Sequence, residues 1–559
     1  MRQEQGTRAF WKNALTAAVL IALPAAALIL SSDKLHYPSA QWDGWALDAA
    51  RAIRSGTFAA DPYVIHPPLY LYLLAMFQPL FGGGPLEQAR LLNFVCYLVT
   101  GWLVFHLSGR LAEEGRRLRA ALAGAALYFT SPLAVQGIFL LDLGDTGPVP
   151  AAAAAYFCLL YSGGGSFRTA AVSAAFALNL WAKLIHSLFL VLASPAAALT
   201  DGAGARGRYR RGLAALAAGT IVFALTWAVY ARYALPVPDR LGPFRYLVEE
   251  MLLNYQRQDL SAGAGAFLYG KAVAVLRVLL WLWPLLLLWA WRAFRKGMGS
   301  GPERVMNFFI LIFLAGAWAS KGTSNGFPKY HAAILPALCA LCGAYAAEVS
   351  DALWSGPAAR RRLAAAAAAA FCLFLAGDPI YTFNHGFRET LISGGGTGGA
   401  ALKLALQAAA VPALVMGLLV FLFGRRGMGP ASALAAYVFV WQAAMLGVQA
   451  RAAYFTTYGY GTSGKAEAVR YVSGRFTGGT VSGPNEFAWD MRAAGVPFLE
   501  IGDGCFIKMG CAMEVLRAGD SRFFIFGPAS NTVDQVKAFL ALTPADLGRP
   551  FSSVRKGDF

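Results

Sequence analysis

About thirteen apolar stretches follow one another along the chain, most of them long enough to cross a hydrocarbon core about 30 Å thick. No single soluble core buries so many, so the chain reads as an α-helical polytopic membrane protein. In a bilayer the backbone must satisfy its own hydrogen bonds, and uninterrupted apolar runs do so as helices. Composition agrees, since 57% of the 559 residues are hydrophobic and 14% are charged, far more apolar than ordinary globular usage. The formal charge of +18 does not point to nucleic acid. The arginines sit in short loops between apolar runs rather than on one domain, which is the pattern of cytoplasmic loops.

Spans are expected at 13–31, 88–109, 120–140, 144–162, 167–182, 184–200, 212–234, 272–291, 305–320, 330–348, 362–377, 401–423 and 431–450. Arg2, Arg8 and Lys12 precede the first run in the manner of a signal peptide. With many more spans following and no clear cleavage site, a retained span with a cytoplasmic N-terminus is the better reading. The basic clusters Arg110 to Arg119, Arg206 to Arg211, Arg292 to Lys296, Arg360 to Arg362 and Arg425 to Arg426 should all face the cytoplasm. Neighbouring basic loops must then be separated by an even number of crossings.

Two segments are decided by that parity. Residues 167–200 are too long for one span, so two short helices are expected with Lys183 at the outer turn. Residues 67–81 would put the Arg110 to Arg119 cluster outside if they crossed, so they are expected to be interfacial or re-entrant, bent at Pro67 and Pro68. The transmembrane domain is thus read as residues 1–450, with a first outer loop at 32–87. Residues 451–559 return to soluble composition, with 466–473 helix-like, 523–526 strand-like and 532–540 helix-like, and read as a small periplasmic α/β domain. Cys339 and Cys342 lie in an apolar run and read as helix packing rather than a zinc site. Cys505 and Cys511, in the tail, form a candidate disulfide.

The chemistry-bearing residues collect at the outer ends of spans. Asp43 follows the first span, and Asp142 and Asp145 follow the third. Placing carboxylates there is costly unless a partner or a wet cleft receives them. A carboxylate beside such a cavity can accept the proton of an attacking hydroxyl or amine. A phosphate leaving group needs positive charge opposite it, and Lys183, Lys321, Lys329 and His331 also sit at outer span ends. Asp490, Glu500 and Asp503 in the tail read as solvated surface.

In order, Asp43, His66-Pro67-Pro68-Leu69-Tyr70, Phe81-Gly82, Arg90-Leu91, Ser131-Pro132, Leu141-Asp142, Ala182-Lys183, Lys321, Lys329-Tyr330-His331 and Leu335-Pro336 resemble the GT-C superfamily of polytopic glycosyltransferases. The likeness is to the lipid A aminoarabinose transferase and protein O-mannosyltransferase type, and it covers roughly the first 350 residues. It implies a polyprenyl-phosphate sugar as donor and a lipid, glycan or protein as acceptor. It also implies that Asp43 is the catalytic base or acceptor-orienting group, with Asp142 or Asp145 as the second acidic position. His66, Tyr70, Arg90, Lys183, Lys321, Lys329, Tyr330 and His331 would line the substrate site, Lys183 nearest the carrier phosphate. Two positions depart from the pattern. Gly44 stands where a second acidic residue is common, and His66 where Lys is frequent. Metal binding is left open by that departure, with Asp43 and Asp142 as the ligands of any divalent ion.

Two function classes compete. The first is an inner-membrane glycosyltransferase acting at the periplasmic face by direct displacement with inversion. The second is a lipid or glycan transporter or flippase, against which stand the lack of an internal repeat and of charges clearly at midplane. An oligosaccharide ligase using diphosphate-linked donors would need a similar cavity.

Overall fold

The computed structural model describes residues 13–32, 35, 43–58, 66–80, 82–141, 144–161, 166–201, 206–235, 240–245, 247–249, 263–320, 328–350, 365, 367–373, 398–424, 429–451, 465–483, 487–500, 521–526, 541 and 554. Among the described residues, five helices are long and apolar enough to cross a membrane, at Asn13–Leu30, Pro85–Leu111, Tyr209–Ala234, Lys329–Val349 and Pro430–Gly447. A sixth is the pair Glu114–Phe129 and Pro132–Phe139, bent by 52°. The expected spans at 184–200 and 305–320 are the helices Leu184–Thr200 and Pro302–Ser320, and the one at 144–162 is the shorter helix Pro148–Leu160. The expected span at 362–377 lies largely outside the described residues.

The elements that position the site are numbered here in chain order. They are α1 (Asn13–Leu30), α2 (Asp43–Ser55), α3 (Leu69–Phe77), α4 (Pro85–Leu111), α5 (Arg117–Phe129), α6 (Pro132–Phe139), α7 (Pro148–Leu160), α8 (Ser166–Ala182), α9 (Leu184–Thr200) and α10 (Arg206–Ala234). There follow α11 (Ala264–Lys296), α12 (Pro302–Ser320), α13 (Leu335–Val349), α14 (Gly398–Gly424) and α15 (Pro430–Arg451).

Local chemistry explains the breaks. Pro132 pushes Ser131 into extended backbone, so α5 stops and α6 starts at a new angle. The bend leaves carbonyls at the end of α6 open to side chains. Helix α4 begins on Pro85, whose missing N–H is no loss in the first turn, and Glu87 reaches back to the Gly84 amide at 3.1 Å. Between α8 and α9 the single residue Lys183 is extended, as the parity argument requires of this segment. Neither proline nor glycine stands there, and the tertiary contacts of Lys183 hold the break. Helix α3 has nine residues, about 13 Å at 1.5 Å each, less than half a bilayer core.

Charges mark one end of the bundle. Arg304 pairs with Asp201 at 3.2 Å, Tyr209 donates to the same carboxylate at 2.6 Å, and Lys296 pairs with Glu348. Arg110 binds the Cys158 carbonyl at 2.8 Å, joining the far ends of α4 and α7. Arg90 lies twenty residues back along α4, about 30 Å away along the helix. Arg110 is therefore at the opposite end of α4 from Arg90 and the Asp43 carboxylate it meets. Packing between spans in lipid rests on close van der Waals fit, and the large core supplies it with Tyr97, Tyr128, Phe157 and Trp441. Cys339 and Cys342 are buried thiols within that core.

A smaller cluster lies outside the main core and joins α2, α3, the start of α4, Leu141 and Trp489. Beyond α15 come α16 (Lys465–Ser473), β1 (Thr480–Gly483), α17 (Ala488–Ala493), β2 (Phe498–Glu500) and β3 (Ser521–Phe524). The strands form a parallel sheet in the order β2-β1-β3. Val481, Phe487, Met491 and Ile525 pack beneath it. The helix expected at 466–473 and the strand expected at 523–526 match α16 and β3 within a few residues. The helix expected at 532–540 and the Cys505–Cys511 pair lie outside the described residues.

Candidate functional site

Asp43 opens α2. Residues 43, 46, 47 and 50 share the buried face of this helix. The Asp43 side chain is wholly buried, and Oδ1 accepts the Leu141 amide at 2.9 Å. Its other oxygen lies 3.9 Å from Nη2 of Arg90, also wholly buried. Arg90 is fixed by two further bonds, from Nε to the Phe139 carbonyl at 3.1 Å and from Nη1 to the Leu35 carbonyl at 2.8 Å. A guanidinium suits this place because its planar fork meets three acceptors at once. Arg90 supplies the counter-charge a carboxylate needs away from water.

Asn93, one turn further along α4, holds the carbonyls at the end of α6. Its amide donates to Gly137 at 3.1 Å and to Leu140 at 2.8 Å, and its carbonyl accepts from the Tyr70 hydroxyl at 3.0 Å. Thr146 donates to the same two carbonyls. The Gly144 amide returns to the Leu141 carbonyl at 2.8 Å. Gly144 has φ +86° and a Cβ there would come within 3.0 Å of Tyr70, so only glycine suits the turn.

Asp145 follows immediately and belongs to a second charge cluster. Lys183 Nζ lies 3.1 Å from its Oδ2 in hydrogen-bond geometry and 3.0 Å from Oδ1 as a close charge contact. His66 Nε2 stands 3.4 Å from the same ammonium, and His186 Nδ1 is 4.0 Å from Asp145 Oδ1. The His186 ring packs on Phe313, which packs in turn on the His331 ring, at 5.3 and 5.6 Å. Lys329 is buried, with its ammonium 5.0 Å from the Tyr330 ring centroid.

The turn bond limits how far apart the two clusters can be. With Leu141 and Gly144 closing a four-residue turn, the Leu141 and Asp145 Cα atoms are within about 11 Å. Asp43, from a remote part of the chain, thus binds within a few residues of Asp145. Asp142 and Lys321 lie outside the described residues. Asp490 is not a freely solvated charge. It pairs with Lys465 at 2.8 Å, with its side chain 14% exposed. The sequence reading did not single out His186, Asn93 or Thr146. His186 stands three residues after Lys183, a helical spacing that offers a signal, whereas Asn93 and Thr146 act through backbone carbonyls that no motif reveals. Among the described residues, no three His, Cys, Asp or Glu side chains gather to hold a metal ion.

Residues 65–230 match the family model described as dolichyl-phosphate-mannose-protein mannosyltransferase, a stretch that carries His66, Tyr70, Arg90, Asp145 and Lys183. Over that stretch the chain resembles a family of glycosyltransferases. Its fold is similar to that of ArnT from Cupriavidus metallidurans. The structure of ArnT bound to undecaprenyl phosphate superimposes with a TM-score of 0.54, at 16% identity over 94% of this chain and 90% of that one. The apo structure of ArnT gives 0.54, at 17% identity over 94% and 95%. No curated protein sequence matches the chain significantly.

Proposed function

We propose that the protein takes a sugar from a polyprenyl-phosphate-linked donor and passes it to a lipid, glycan or protein acceptor at the periplasmic face of the inner membrane. The observation that carries this reading is the meeting of two carboxylates at one turn: Asp43, reaching from α2 to the Leu141 amide and backed by a guanidinium, and Asp145, on the turn itself and backed by an ammonium. The acceptor hydroxyl or amine attacks the anomeric carbon from the side opposite the phosphate. Asp43 orients that nucleophile and takes its proton as the new glycosidic bond forms. The bond from the anomeric carbon to the phosphate oxygen breaks, and polyprenyl phosphate leaves with the electron pair. Lys183, assisted by His66 and by Lys321, Lys329 and His331, balances the charge on the departing phosphate. Single displacement inverts the anomeric centre.

Arg90 is engaged with Asp43 and two carbonyls, which supports a positioning role rather than a grip on substrate. Tyr70 supports the turn through Asn93, and Tyr330 stands beside Lys329 near the carrier end of the site. No step is routed through a metal. The separation of basic loops from the charge clusters supports a cytoplasmic N-terminus, about thirteen crossings, a membrane part at 1–450 and a periplasmic domain at 451–559. The undecaprenyl phosphate held by ArnT supports the same donor class here.

Purified protein incubated with labelled polyprenyl-phosphate sugars and envelope acceptors should yield a glycosylated product by mass spectrometry, and Asp43→Asn should not. Movement of the donor across vesicles without a new glycosidic bond would favour a flippase. Turnover of diphosphate-linked donors alone would favour a ligase.

A further inference from the structure

Asp43 is held from the bundle side by Leu141 and Arg90, and an adjoining face of its helix is held by the C-terminal segment. Gly44, Asp48 and Arg51 follow the i, i+4, i+7 spacing of one helical face. All three meet α17. A Cβ on Gly44 would overlap Cβ of Trp489. The Arg51 guanidinium lies 4.8 Å from the centre of the Trp489 ring, and Arg492 Nη2 lies 2.7 Å from Asp48 Oδ2. Trp489 is 8% exposed and packs in the same small cluster as Leu47, Tyr70 and Leu141, the residue whose amide binds Asp43. Lys465 then ties Asp490 of α17 to α16 at 2.8 Å.

We propose that Trp489 is a positioning residue for Asp43: the C-terminal segment seats this indole in a notch left by Gly44 and so sets the placement of the helix that carries the carboxylate. The inference rests on the glycosyltransferase reading and adds a participant from outside the membrane part. An exposed ion pair contributes little alone, so the Trp489 fit, rather than Arg492 with Asp48, carries the contact. Catalytic groups must be held within about 0.5 Å of the productive geometry. The distances at Asp43, 2.9 Å to Leu141 and 3.9 Å to Arg90, depend on where α2 sits. The absence of a second acidic residue after Asp43 also gains a physical reason, since any side chain at position 44 would displace the indole.

The test uses the full-length protein and compares kcat and KM for Gly44→Ala, Trp489→Gly, Trp489→Phe and the double variant G44A/W489G. Gly44→Ala and Trp489→Gly should each lower kcat roughly 10–100-fold while the donor KM stays within about twofold. Trp489→Phe should recover most of the lost rate. The double variant should be no slower than Trp489→Gly alone, because the overlap is gone once the indole and its Cβ are removed. Wild-type kcat in Trp489→Gly, or losses that multiply in the double variant, would overturn the proposal. The same four variants are also melted in detergent, where non-additive shifts report the contact without any assay of transfer. If Asp43→Asn turns over as fast as wild type, the catalytic reading of Asp43 fails, and the melting cycle still shows whether Gly44 and Trp489 are coupled.

Discussion

Asp145 and Lys183 form a buried pair that joins the turn after α6 to the break between α8 and α9, with Nζ 3.0 and 3.1 Å from the two carboxylate oxygens. Breaking one partner of such a pair costs about 3–5 kcal/mol, whereas replacing both with apolar groups is often neutral. Asp145→Asn and Lys183→Met should each lower the melting temperature, and D145L/K183M should recover most of it. Transfer should stay lost in the double variant, since the leaving phosphate has no ammonium opposite it. A double variant with wild-type turnover would remove Lys183 from the reaction.

Asp43→Asn keeps the size of the side chain and an oxygen for the Leu141 amide, so the fold should survive. Its rate should fall by a factor on the order of 100 or more, the usual contribution of a positioned proton acceptor. Arg90→Lys is the companion change. A lysine cannot reach Asp43, Phe139 and Leu35 together, so kcat should fall strongly while the donor KM changes little. Circular dichroism and size-exclusion profiles separate loss of chemistry from loss of fold.

Gly144→Ala should lower the melting temperature, because the left-handed backbone costs about 1–2 kcal/mol for alanine and the methyl would press on Tyr70. Tyr70 bonds Asn93, so transfer should weaken alongside stability. Gly82→Ala serves as the control, having nothing within 4 Å of the added methyl. Equal melting temperatures for the two variants would contradict this account of the turn.

Asp48 gives a pH test of the contact between α2 and α17. Burial pushes its carboxyl above the ordinary value, outweighing the opposite pull of Arg492 and Arg51. A group raised in the folded state contributes stability that is full below its unfolded value and is lost as pH rises through the folded value. Asp48→Asn is neutral throughout, so it should flatten the change in melting temperature across the acid range just above ordinary carboxylate titration. A mutant profile parallel to wild type would show that the carboxyl does not titrate with folding.

Periodicity and charge made much of the architecture legible. Counting crossings between arginine loops predicted a division at Lys183 and a short helix after Pro68, and both are present. Motif order pointed to Asp43, to Asp142 with Asp145 competing for the second acidic position, and to Lys183. Arg90 appeared only as a candidate contact for substrate. Its link to Asp43 arises from a fold in which α4 runs beside α2, and no local pattern encodes that. Gly44 and Trp489 stand still further apart in sequence, so their fit is visible only in three dimensions. The expected span at 120–140 is bent rather than straight, since apolar content says nothing of where Ser131 turns extended before Pro132.

The turn at Leu141 to Thr146 carries Asp145, gives its Leu141 amide to Asp43 and is pinned from below by Asn93. Two anchors on so few peptide bonds cannot be shifted independently. Whatever moves Lys183 pulls on the same short tether against which Asp43 leans.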